Sequence, residues 1–105
     1  MTLKELKRFE EAKSVLRKTM PVARRILGDC HDLTLKTRRG YAQSLCQDPA
    51  ATLDDLREAV TTLEDATRIA RRVLGSSHPT TESSERHLRD ARAALRARET
   101  PSGSA

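Results

Sequence analysis

Five side chains in this 105-residue chain are of types that ligate metals or attack electrophiles: Cys30, His31, Cys46, His78 and His87. A structural zinc site draws its ligands from close pairs such as Cys-x-x-Cys or His-x-x-x-His. Neither spacing occurs, and Cys30 and His31 are adjacent, so no metal site is expected. A cysteine nucleophile needs a neighbouring base and an enclosing pocket. Cys46 with His31 or His78 is the pair the residues allow, but a thin layer of helices encloses little volume. The acidic group Asp54, Asp55 and Glu58 could hold a cation, yet acids at a helix start are explained by the helix dipole. No glycine-rich phosphate loop is present. The expectation is a chain without catalysis and without a cofactor.

Arginine is the other chemically pointed residue. Arg24-Arg25, Arg38-Arg39, Arg71-Arg72 and the series Arg86, Arg89, Arg92, Arg96 and Arg98 dominate the net charge of +5. Phosphate contacts would use such residues. Against that, the arginines are dispersed among 15 acidic residues, and aromatic side chains for base stacking are missing apart from Phe9 and Tyr41. A solvated helix surface is the better reading, and nucleic-acid binding the poorer one.

These groups need elements to position them, and the length leaves room for one domain. Leu, Ile, Val and Phe together make 20 of the 105 residues, close to the composition of disordered chains. Alanine and a strong helical period argue for folded helices with a thin core of Leu and Ala. No run of 18 apolar residues exists, so no membrane span is expected. The N-terminus is charged from Lys4 onward and lacks an apolar signal segment, so the two cysteines are read as free thiols in a cytoplasmic protein.

Thr2-Leu3-Lys4-Glu5 has the pattern of a capping box, followed by a helical stripe of Leu6, Phe9, Ala12, Leu16, Ala23 and Leu27. Pro21 should kink this helix without ending it, because the apolar register continues past it. A second helix is expected from about Asp32 to Cys46, with Leu35, Arg38, Tyr41, Ala42 and Leu45 at core or near-core positions. The Arg38 stem would pack while its guanidinium reached water. Gly40 would let a neighbouring helix approach closely. After the loop Gln47–Ala51, Thr52-Leu53-Asp54-Asp55 caps a third helix whose stripe is Leu56, Ala59, Val60, Leu63, Ala66, Ala70, Val73 and Leu74. The last helix should run from Pro79 to about Arg98 with sparse apolar positions, Leu88, Ala91 and Leu95, as in a solenoid cap. Residues 99–105 have the composition of a disordered tail, leaving residues 1–98 as the helical domain.

The long helices end alike. Ala23-Arg24-Arg25-Ile26-Leu27-Gly28 precedes His31 and Thr34, and Ala70-Arg71-Arg72-Val73-Leu74-Gly75 precedes His78 and Thr81. Sliding Leu6–Thr34 by 47 residues onto Leu53–Thr81 gives 11 identities in 29 positions, the mark of a repeat architecture. Glycine ends each helix, arginines favour its negative end, and a new helix starts at Asp32 or Pro79.

Phe9-Glu10-Glu11-Ala12, Leu16, Val22, Ile26-Leu27-Gly28, His31, Thr34-Leu35 and Ala42 resemble a tetratricopeptide repeat, as do their counterparts in the second copy. The junction Leu74-Gly75-Ser76-Ser77-His78-Pro79-Thr80-Thr81 resembles more narrowly the longer repeat of kinesin light chains and nephrocystin-like proteins. Three features depart from the pattern: Pro21, Glu82 and Glu85 at apolar positions, and a loop about five residues longer before the second long helix. The resemblance implies an all-α fold of about four helices, antiparallel hairpins stacked as a short right-handed solenoid, with His31 and His78 closing the turns. It implies a protein–protein interaction scaffold. The Asp32–Cys46 helix would line the concave face, where Lys36, Arg39 and Gln43, with Arg86 on the last helix, would meet a peptide segment of a partner, of acidic character. Arg39 stands where the family often has asparagine, which leaves a charge-to-charge role. The alternative is a structural fragment or cap that self-associates, since about three repeats are usually needed for stability and this chain holds about two.

Overall fold

A computed structural model describes residues 2–48 and 50–99. Four helices follow one another: α1 (Leu3–Leu27), α2 (Asp32–Gln47), α3 (Leu53–Val73) and α4 (Pro79–Glu99). Each packs on the next in the chain, and α2 also touches α4. Among the described residues there is no strand, so the fold is all-α and built from two helical repeats. Glu99 is the last helical residue of α4, where its carboxylate lies 3.6 Å from Arg57. Residues 100–105 of the expected tail, and Pro49 in the second loop, lie outside the described residues.

The caps are those the local chemistry calls for. Thr2 Oγ1 accepts from the Glu5 N–H, and Thr52 forms a full reciprocal box with Asp55. His31 and His78 start α2 and α4 by the same device: His31 Nδ1 accepts from Leu33 N–H and His78 Nδ1 from Thr80 N–H, both at 3.1 Å. Gly28 and Gly75 close the preceding helices at φ of +89° and +91°. Nothing lies within 4 Å of where a β-carbon would stand at either glycine, so conformation and not space demands the residue.

The core sits between α2, α3 and α4. Tyr41, Ala42, Leu45, Ala59, Val60, Leu63, Leu88 and Ala91 form one cluster, and Leu35, Ala66 and Ala70 a second. α1 covers α2 with Leu16, Met20 and Ala23 but leaves Val15, Val22 and Ile26 61 %, 42 % and 71 % exposed. Its apolar stripe is therefore covered on one side only. Ala12 and Leu27 on α1 and Val73 on α3, expected inside, are found at the surface.

As expected, Pro21 does not end α1, which runs from Leu3 to Leu27. Two other expectations about single residues meet the structure differently. Arg38 does not send its guanidinium into water. It is 7 % exposed, and its Nη2 donates to Asp65 Oδ2 at 2.6 Å, because α3 passes directly over it. Gly40 does face α1, but a β-carbon there would lie 3.9 Å from the Leu16 methyls, an ordinary contact, so packing leaves room for alanine.

The second loop is held down. Asp48 is 3 % exposed, receives Lys13 Nζ at 2.6 Å, and accepts the Ala50 N–H. The Thr80 hydroxyl at the start of α4 donates to Asp32 Oδ1 at the start of α2, tying equivalent points of the two repeats together.

Candidate functional site

α2 and α4 are the equivalent helices of successive repeats, each beginning after a Gly-x-x-His turn. Their contact leaves a small cleft of about 240 Å³ lined by Gln43, Cys46 and Gln47 from α2, His87, Asp90, Ala91 and Ala94 from α4, and Leu63 from α3. Its floor is apolar and its rim polar.

Of the four residues picked from the sequence, only Gln43 lines this cleft. Lys36, half exposed, already pairs with Asp32 one turn away at 3.0 Å. Arg39 is half-buried on α2, and Arg86 is exposed on α4. Asp90 brings a negative charge into the cleft, so this face is mixed in sign. His87 Nδ1 donates to the Ser83 carbonyl at 2.7 Å, which fixes its ring on the α4 surface.

Cys46 is half-buried at the cleft, beside Asp90. Burial pushes its thiol up, and the charge of Asp90 adds to that, the opposite of the lowering that a reactive thiolate needs. Its cleft neighbour is His87, not the His31 or His78 considered from the sequence. Among the described residues no three His, Cys, Asp or Glu side chains are grouped to hold a metal ion, and no helix is long and apolar enough to cross a membrane.

A second concave region was not legible as a unit in the sequence. Along the outer side of α3 and α4, Arg71, Arg89, Arg92 and Arg96 surround Leu88 and Leu95, with Glu85 among them. The adjoining stretch adds Glu64, Thr67, Arg68 and Arg72. The signal for it was the spacing Glu85, Leu88, Arg89, Arg92, Leu95, Arg96, which places these residues on one helix face, joined to a matching series on α3. Only the packing of α4 against α3 shows that the two series share a groove.

Helices paired through Gly–His turns, repeated at a fixed offset and stacked through their equivalent members, define a helical-repeat protein. The profile of the tetratricopeptide repeat matches residues 1–32 and 50–80, more than half of the chain, and the chain belongs to that family. Tetratricopeptide repeats generally mediate protein–protein interactions. No curated protein and no solved structure matches the chain significantly.

Proposed function

We propose that this chain is a non-catalytic, cytoplasmic interaction scaffold of the kinesin-light-chain-like kind, which takes a peptide segment of a partner on the face shared by α2 and α4. The observation that carries this reading is the α2–α4 cleft, with Leu63 and Ala91 beneath a rim of Gln43, Gln47, His87 and Asp90. Gln43 would hydrogen-bond an extended backbone, while Lys36, Arg39 and Arg86, outside the cleft lining, would favour acidic side chains on the flanking parts of the segment. Asp90 limits that preference to part of the segment.

Peptides selected from a display library against the full chain test this directly. Chemical-shift changes on binding are expected to concentrate on α2 and α4, and the K36E/R39E double variant should weaken an acidic ligand by about tenfold. Shifts confined to other faces, or unchanged affinity in the double variant, would remove the reading.

A second reading, self-association, is favoured by the exposed Val15, Val22 and Ile26 on α1. It requires a dimeric mass in sedimentation and a melting temperature that rises with protein concentration.

A further inference from the structure

The boundary between the two repeats shows how a further repeat would be received. α3 and α4 of the second repeat pack on α2 of the first. At that boundary Arg38 donates to Asp65 at 2.6 Å, and the Thr80 hydroxyl donates to Asp32 at 2.7 Å. The charge of Asp55 reaches Arg17. The repeats are 47 residues apart, so each contact has a counterpart. In it α4 takes the part of α2, and α1 and α2 of a second copy take the parts of α3 and α4.

The counterparts match, because both members of each pair change together. Arg38 and Asp65 become Glu85 and Lys18 of the second copy: the signs are exchanged and the attraction is kept. Arg17 and Asp55 become Glu64 and Arg8, exchanged in the same sense. Asp32 and Thr80 become Pro79 and Leu33, so a polar pair becomes an apolar one. Leu33 is 54 % exposed in the single chain, and Pro79 also lies at the surface. Val22, 42 % exposed, takes the place of Ile69, which packs on the cluster of Leu35, Ala66 and Ala70. Arg71, which stands where Arg24 does, already holds Glu85 at 3.1 Å. Glu85 can receive Lys18 beside it, as Asp65 receives Arg38 and Arg68 on its two oxygens. Glu11, at the place of Glu58, would land beside Leu88. Arg89 and Arg92 follow Leu88 on α4, and Glu64, which would oppose Glu11, is paired with Arg92 at 3.0 Å.

We propose that a second copy of this chain docks head to tail, its α1 on α4, so that the two chains continue one superhelix. The proposal rests on the self-association reading and gives it a direction. The centre of this seam differs from the internal one, since Glu82, Arg89 and Arg92 stand where α2 has Leu35, Ala42 and Leu45. The contact is therefore held by charge and by its apolar edge, and it should be weak and sensitive to salt. A head-to-tail contact does not close on itself, so assemblies grow beyond two copies.

Sedimentation of the full chain over a range of protein and salt concentrations tests this. The average mass should rise past that of a dimer at high concentration and fall as salt is raised. K18E and E85K should each weaken association by about tenfold or more. K18E also lowers the positive net charge, so overall repulsion is not the cause of its effect. An equimolar mixture of the two variants should recover association, because the reversed charge of one then meets the reversed charge of the other. Circular dichroism and melting establish that both variants fold, and K18Q and E85Q, which remove charge without reversing it, should fall between. A mass that stops at a dimer, with E85K without effect, would leave self-association standing and overturn the head-to-tail contact. So would a mixture no more associated than its components. A monomeric mass at every concentration would overturn both, leaving the α4 face to a different protein.

Discussion

Lys13 Nζ on α1 lies 2.6 Å from Asp48 Oδ2 in the loop between α2 and α3. The carboxylate is almost fully covered and the ammonium nearly so, with side-chain exposures of 2 % and 13 %. Since α1 reaches the rest of the molecule chiefly through α2, this pair also fastens it to the start of the second repeat. Removing the lysine strands a buried charge. Lys13→Met should therefore cost about 1.5–3 kcal/mol, the range for a lost hydrogen bond to a charged group. At roughly 4–8 °C per kcal/mol for a domain of this size, thermal melting should show a drop of about 6 °C or more.

Acid should act through the same carboxylates. The hydrogen bond from Lys13 holds Asp48 below the ordinary aspartate range, with the Ala50 N–H adding to it. Arg38 does the same for Asp65, and the Thr80 hydroxyl followed by Lys36 for Asp32. A carboxylate whose folded value is depressed contributes stability above its unfolded value, about 4, and loses it as pH falls through the folded value. Stability should thus be level above about pH 5 and decline below about pH 4. A carboxyl-carbon NMR titration should place Asp48 below free aspartate in the natural chain. In Lys13→Met, where burial is opposed by the Ala50 N–H without the lysine, Asp48 should titrate higher than in the natural chain.

Two glycine substitutions should move stability in opposite directions. Gly40 is in the α2 interior with room for a methyl group against Leu16 at 3.9 Å. Gly40→Ala should raise stability by about 0.5–1 kcal/mol through backbone entropy and helix propensity. Gly75 has equal space but a φ of +91°, so Gly75→Ala should lower stability by about 1 kcal/mol or more. Denaturant midpoints measured side by side settle the contrast, and the same sign for both would contradict this account of the turns.

Ser84 is fully buried on α4, and its hydroxyl has no protein partner among the described residues. An unpaired buried hydroxyl carries a desolvation cost of about 1–3 kcal/mol. Ser84→Ala removes that oxygen and improves helix propensity, so the melting temperature should rise by several degrees. A fall would mean that the hydroxyl is satisfied, for example by a buried water.

The helices and their turns were local matters. Thr2, Thr52, His31 and His78 are caps because their side chains reach N–H groups two or three residues ahead, and Gly28 and Gly75 end helices because of their own φ. Periodicity likewise picked out Leu56, Ala59, Leu63, Ala66 and Ala70, all of which are buried. Such interactions span a few residues, so residue order alone decides them, and the 47-residue repeat then names the architecture. What lay beyond reach were relationships between residues far apart in the chain: Lys13 with Asp48, Arg38 with Asp65, Thr80 with Asp32. Each joins polar side chains that are as compatible with solvent as with one another, and only the stacking of helices removes the water and chooses the partner. The basic groove has the same origin. Its arginines read along the chain as ordinary solvated faces, and they become one surface because α4 packs against α3 while turning charged residues, instead of apolar ones, toward the place a further helix would fill.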